Sequence, residues 1–435
     1  MTVRSKHTAR TRALQTSTAL ALALTALLVT GCGTGDGDDS RPAAGTATPR
    51  PHGYVEGAKE AAEQQARLVL NEPGSGETRV LDLITGKVTR TGRTEGALRL
   101  GTDGRFGYLY TSRTTHVLDS GSWLVDHGDH VHYYRAAIRD IGELPGRDAA
   151  EVRSDAAVTA ATGKDGRAVL YDRTALDQGS ITSTRTLPGR YQGAVVPYSE
   201  HLVALTRTDE DKDDDKDKGK DKDKDTAGLV LLDRDGERLA TPDGAHTCSQ
   251  PQGDALTRRG VVFGCAEGAL LVREKGGAFT AEMIPYPGKV PAAERATAFR
   301  HRSGSDTLTA TAGPRAVWVL DVGERSWTRV RTGTVVAANT AGEGAPLLVL
   351  EGDGALHGYD ITTGERTART KQLVTPGRQA RTGTERPVIE VDRSRAYVND
   401  PDGRRVHEVD YNDALRVARS FDLDIDPVLM AETGR

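Results

Sequence analysis

Val80-Leu81-Asp82-Leu83-Ile84-Thr85-Gly86-Lys87 has a near copy towards the far end of the chain, Gly358-Tyr359-Asp360-Ile361-Thr362-Thr363-Gly364-Glu365. Each reads as a β run ending in aspartate, a tight turn containing glycine, and a new strand that begins at the charged residue. The same unit recurs at Val117-Leu118-Asp119, Leu170-Tyr171-Asp172, Leu231-Leu232-Asp233, Leu271-Val272-Arg273, Val319-Leu320-Asp321 and Glu408-Val409-Asp410. By subtraction, the third positions lie 37, 53, 61, 40, 48, 39 and 50 residues apart. These gaps lie near the roughly 40–50 residues of a propeller blade. The two longest hold insertions: a histidine-rich segment in one and a lysine–aspartate tract in the other.

Ahead of the repeat, Phe106 to Tyr110, Gly260 to Gly264, Leu347 to Leu350 and Ala396 to Val398 read as inner strands. Together these runs describe the four-strand meander of a blade, and no two-helix repeat fits them. The fold class is therefore all-β, a β-propeller. Eight copies favour eight blades. Seven is the alternative, depending on whether the first copy closes the ring with the last. A pair of β-sandwiches would also use short strands and turns, but the number and spacing of the copies favour the propeller.

The net charge of -4 and a pI near 6.3 exclude the concentrated basic face that a nucleic-acid partner requires. At the N-terminus, Arg4, Lys6, Arg10 and Arg12 precede an apolar run from Thr18 to Thr30. The run is too short for an ordinary membrane span and suits a signal peptide over residues 1–31. It ends in Leu28-Val29-Thr30-Gly31-Cys32, which resembles the lipobox of bacterial lipoproteins. That resemblance implies diacylation of Cys32, attachment to the membrane through the lipid, and residence on the extracytoplasmic face. No adjacent arginine pair occurs in this N-terminal basic region, so Sec export is expected.

Residues 32–66 read as a flexible tether. Gly33 to Gly53 is too poor in bulky apolar residues to offset the entropy of ordering, and Glu56 to Arg67 suggests at most a short helix. The propeller is expected over 67–435, with a solvated, disordered insert at 209–225 (DEDKDDDKDKGKDKDKD). That insert lacks the ligand spacing of a calcium loop.

Apart from Cys32, only Cys248 and Cys265 are present, an even pair that in an exported protein points to a disulfide. A thiolate metal site with His246 is the rival reading.

The candidate binding site is Asp126-His127-Gly128-Asp129-His130-Val131-His132-Tyr133-Tyr134. Three of the chain's 11 histidines fall within six positions. In an extended run His130 and His132 share a face, and Gly128 tolerates the angles that bring His127 back towards them. Imidazole nitrogen and carboxylate oxygen are ordinary zinc ligands. The expected Zn2+ ligands are His127, His130 and His132, with Asp129, Asp126 or water completing a tetrahedron. No activated nucleophile accompanies them, so the reading is a binding site and not an enzyme. The histidines scattered through the propeller, at 116, 201, 246, 301, 357 and 407, are expected to be surface or hydrogen-bonded residues.

Gly121-Ser122-Trp123 leading into this histidine segment resembles the extracytoplasmic zinc metallochaperones of the AztD type. Gly260 to Leu271 with its cysteine pair is similar to that family, as is Asp424-Ile425-Asp426-Pro427 to Gly434. The resemblance implies a propeller that binds zinc on a mobile histidine loop and delivers it to the solute-binding protein of a zinc ABC importer. It also implies a second histidine set near the channel mouth. There this chain departs, carrying Gln192 and Gln252, whose amide oxygens are poor zinc ligands beside imidazole. A monomer is the expected state. The rival functions are a metal-free interaction scaffold at the cell surface and a propeller enzyme of the lactonase or quinoprotein kind. The enzyme would need acidic or cofactor-binding residues converging on the axis, and no such set is legible.

Overall fold

A computed structural model of the chain describes residues 53–127, 130–145, 149–207, 226–240, 247–342, 344–375 and 387–435. The signal peptide, Cys32, the tether up to residue 52, Asp129, the charged insert and His246 lie outside the described residues.

Among the described residues the strands group into nine antiparallel sheets. Seven are four-stranded, and the sheet of Thr307–Thr311, Ala316–Asp321 and Ser326–Arg331 gains a further bridge from Arg300 to Thr309. These eight follow one another along the chain, so the all-β propeller expectation holds. The inner strands of neighbouring sheets lie side by side, as Val335–Thr340 does with Thr307–Thr311 and with Ile389–Val391, and so they surround the axis.

The aspartate of the repeat ends the third strand, and its side chain builds the turn to the outermost one. Asp82 Oδ1 accepts from the Thr85 amide and hydroxyl, both at 2.9 Å, and Asp360 Oδ1 accepts from the Thr363 amide at 2.7 Å. Gly86 and Gly364 close these turns with φ of +71° and +73°, a backbone region that favours glycine. Asp321 and Asp410 accept amide protons from Glu324 and Asn412 in the same way. Asp172 instead caps the short helix Arg173–Asp177 by accepting from the Ala175 amide.

Eight buried apolar clusters hold the sheets together, each shared by two successive sheets. Leu68, Leu70 and Leu81 from the first sheet, for example, pack against Tyr397, Val406 and Phe421 of the last. Each buried side chain of this size contributes about 1.5–3 kcal/mol. The first copy does close with the end of the chain: Leu429–Thr433 pairs with Arg67–Asn71, Arg67 opposite Thr433, as the first strand of that sheet. Asp424 reinforces the closure through Arg79, whose Nε and Nη2 each lie 2.9 Å from its carboxylate.

Cys248 and Cys265 form the expected disulfide, with Cα atoms 5.2 Å apart. It joins the outermost strand of one sheet, Thr247–Ser249, to the second strand of the next, Gly260–Cys265.

The N-terminal boundary needs correction. Lys59–Ala61 is neither helix nor free tether but a strand, paired with Tyr133–Arg135. It completes a ninth, three-stranded sheet with the hairpin Ser122–Asp126 and Val131–Arg135. That hairpin is inserted between the third strand (Thr115–Asp119) and outermost strand (Arg139–Glu143) of its blade.

Candidate metal centre

The base of the hairpin is fixed by buried charge. Asp119 is wholly enclosed, and its carboxylate receives Arg105 at 2.9 Å, Arg139 at 2.6 Å and the Gly121 amide at 2.8 Å. A carboxylate can be buried at modest cost only when its lone pairs are satisfied in this way. Arg135 reaches back to Asp82 at 2.6 Å, tying the hairpin to the neighbouring sheet. Trp123 stacks on Tyr134 with ring centres 5.4 Å apart, the Arg105 guanidinium lies 3.8 Å from the Trp123 ring, and Trp123 Nε1 donates to the Gly53 carbonyl at 3.2 Å.

The pairing register determines which side chains share a face. Trp123 sits opposite Tyr134, Val125 opposite His132, and Glu60 opposite Tyr134. Strand side chains alternate, so His132 and Tyr134 lie on one face, and Glu60 joins them as a diagonal neighbour of His132. At the tip, the His127 amide donates to the His130 carbonyl at 3.0 Å, and this turn brings His127 over His130.

The three rings converge. His127 and His130 are stacked with centres 4.9 Å apart, while His132 lies 5.3 Å from the first and 4.9 Å from the second. One nitrogen from each falls within 4.8 Å of the others, and His130 Nε2 and His132 Nε2 are 3.1 Å apart. Two nitrogens of a tetrahedral zinc site lie about 3.3 Å apart. The His130–His132 pair already has about that spacing, and a His127 nitrogen lies within 4.8 Å of both.

His132 Nδ1 is 2.7 Å from Glu60 Oε1. Nδ1–H donates to the carboxylate, which leaves the lone pair of His132 Nε2 facing the other two rings. His127 and His130 are exposed and His132 is half-buried, so the group opens to solvent.

The structure thus brings His127, His130 and His132 together. It does not add Asp126, expected as a completing oxygen, to the group. Asp126 ends its strand facing Arg258, with Oδ2 and Nη2 3.5 Å apart. Glu60 was missed because Lys59-Glu60-Ala61 carries no β pattern of its own. It becomes a strand only because the hairpin presents an unpaired edge.

The other described histidines are bonded, as expected. His116 pairs with Asp140 at 2.8 Å, and His407 lies 2.9 Å from the Ser420 hydroxyl and 3.0 Å from the Leu373 carbonyl. Burial and the Arg435 and Arg153 charges push His301 down to about 4. His357 belongs to a second group capable of holding a metal, with Glu351 and Asp353. That group is already matched internally: Tyr359 donates to Glu351, and Arg369 meets Asp353 at 2.9 Å. The main-chain N–H groups of Gln192 and Gln252 donate to the Leu205 and Gly264 carbonyls.

The fold has counterparts among solved structures. The chain is similar to the crystal structure of Citrobacter koseri AztD with a TM-score of 0.68 and 19% identity, covering 85% of this chain and 98% of that one. The fold is AztD-like. A structure of apo AztD from the same organism gives a TM-score of 0.67 at 17% identity with the same coverage. The dihydro-heme d1 dehydrogenase NirN, in complex with DHE, gives 0.50 at 14% identity, covering 85% of this chain and 75% of that one. No protein-family model and no curated protein sequence matches the chain.

Proposed function

We propose that the chain is a non-enzymatic zinc carrier on the extracytoplasmic face of the membrane, anchored by a lipid on Cys32. In this reading His127, His130 and His132 take up Zn2+ and pass it to the solute-binding protein of a zinc ABC importer. The observation that supports it best is the meeting of three imidazoles within 4.8 Å on one hairpin, backed by the Glu60 carboxylate. The AztD-like fold and the histidine motif point the same way. Glu60 supports the site from behind, holding His132 with its Nε2 lone pair available. Asp129 remains a candidate fourth ligand.

An exposed site suits a cargo. Water and an incoming partner's ligands can replace the imidazoles one at a time, so the ion need never be bare. The test is zinc titration of metal-stripped protein by calorimetry. The expected result is one zinc per chain, bound tighter than about 10 μM, and lost in the His130→Ala/His132→Ala double variant. Unchanged stoichiometry in that variant would remove the reading, and affinity weaker than about 10 μM would leave a metal-free interaction scaffold.

A further inference from the structure

Residues 53–61 form a strap across the histidine hairpin, and Lys59–Ala61 pairs with no strand of the eight blades among the described residues. The strap is pinned at its far end. There the Gln65 carbonyl accepts from the Ser122 hydroxyl, Gln65 Oε1 accepts from Arg135 at 3.3 Å, and the Ala66 carbonyl accepts from the Leu83 amide of the ring. Going back from this point, Lys59–Ala61 follows the edge of Val131–Arg135, and Gly53 rests against the other strand of the hairpin. The Gly53 carbonyl accepts from Trp123 Nε1, and a Cβ at this position would fall 2.2 Å from Val125 Cγ2. Its φ of +74° also favours glycine, so a side chain here would push the strap away.

The hold on the hairpin edge is slight. The His127 amide donates to the His130 carbonyl and the Ala136 amide to the Gly121 carbonyl. Main-chain direction alternates, so His132 and Tyr134 turn their main-chain groups to Ser122–Asp126, while Tyr133 and Arg135 turn theirs to the strap, opposite Ala61 and Lys59. The main chain of Glu60 therefore faces outward, and its carboxylate supplies the side-chain bond of this strand, to His132 Nδ1 at 2.7 Å. Lys59 and Glu60 are exposed and Ala61 is half-buried, so little apolar burial adds to these bonds. A segment held by few bonds and little burial belongs to the low-stability end of a fold. The group that steadies His132 is thus carried by the part of the protein most easily detached from the hairpin.

We infer that the strap is a metal-linked catch. Docked, it holds Glu60 behind His132 and the site keeps its zinc; peeled from the hairpin edge, it carries Glu60 away and the zinc is held about tenfold less tightly. The coupling runs both ways, because a strap that favours zinc when docked must itself be favoured by zinc to the same factor. Peeling displaces none of the three imidazoles, so affinity changes while stoichiometry does not. The inference rests on zinc binding by His127, His130 and His132, and adds how that site passes between holding and releasing its cargo.

Hydrogen exchange on the full-length chain tests it, with zinc occupancy measured separately by calorimetry. The Lys59 and Ala61 amides, which point at the hairpin, should exchange about tenfold more slowly in zinc-saturated than in metal-stripped protein. The amides of Leu68 to Leu70, inside the ring, should not change. Ala61→Pro removes one of the strap's amides and should weaken zinc about tenfold at unchanged stoichiometry. Gly53→Ala alters no residue bonded to the three histidines, yet should weaken zinc in the same direction and speed exchange at Lys59 and Ala61. Both substitutions lie outside the ring, so cooperative unfolding should be retained. Zinc uptake with no added protection at Lys59 and Ala61, or native zinc affinity in Ala61→Pro, would overturn the catch and leave the zinc carrier standing. Absence of zinc uptake would remove both, and the calorimetry identifies that case.

Discussion

Replacing Glu60 tests how the metal centre is organised. The Glu60 carboxylate accepts from His132 Nδ1 at 2.7 Å, fixing the tautomer whose Nε2 lies 3.1 Å from His130 Nε2. Glu60→Gln keeps the size and strand position but presents a weaker, neutral acceptor. Removing a carboxylate behind a ligating histidine costs about 10–100-fold in metal affinity, or about 1.4–2.7 kcal/mol. Here the Glu60 side chain is 46% exposed and that of His132 24%, so solvent screens the interaction. The lower end, about tenfold, is therefore expected. Competition against a chromophoric chelator measures the change, and Co2+ absorption reports whether the coordination number is kept. An affinity within about twofold of the native value would refute the supporting role. A loss as large as that in His132→Ala, with a changed Co2+ spectrum, would make Glu60 a direct ligand.

Other expectations concern stability. Glu432 is fully buried, and desolvation pushes its carboxyl up to about 8, with Glu390 and Asp392 adding negative charge against the opposing pull of Arg435. A folded-state pKa above the usual value near 4.5 means that the neutral form stabilises the fold at low pH and that this contribution is lost as pH rises towards and through about 8. Melting temperature should fall between pH 5 and 9 on this account, and Glu432→Gln should flatten that slope in calorimetry; equal slopes would count against it. Opening the Cys248–Cys265 loop, a separation of 17 residues, should lower stability by about 3 kcal/mol, read as an earlier denaturant midpoint for the double alanine variant. Trp123→Ala removes the platform under Tyr134 and Arg105 and should destabilise by about 3–5 kcal/mol, with zinc affinity falling alongside if the hairpin loosens. Deleting Leu429–Arg435 strips the first strand from the sheet of Arg67–Asn71 and should abolish cooperative unfolding in the same measurement.

What could be read from the residues was local. The aspartate and glycine of each repeat mark a turn whose hydrogen bonds span three or four positions, so Asp82 with Gly86 and Asp360 with Gly364 were visible without coordinates. The histidine triad was visible for the same reason, since a single hairpin supplies all three rings. Partners chosen across the chain left no trace. Leu429-Met430-Ala431-Glu432-Thr433 lies in a stretch the sequence singles out, but nothing in its residues names Arg67–Asn71 as the strand it pairs with. Asp126 looked like a ligand by proximity, but the end of its strand carries it towards Arg258.

The strand at Lys59–Ala61 has a mechanical consequence. Gly53 rests beside Trp123, and eight residues later the chain is woven into the edge of the histidine hairpin. If Cys32 carries the lipid, the leash leaves the protein at the hairpin and not at some remote blade. The 21 positions from Cys32 to Gly53 can span at most about 75 Å. Tension on that leash would be felt first by the strand that holds Glu60 against His132.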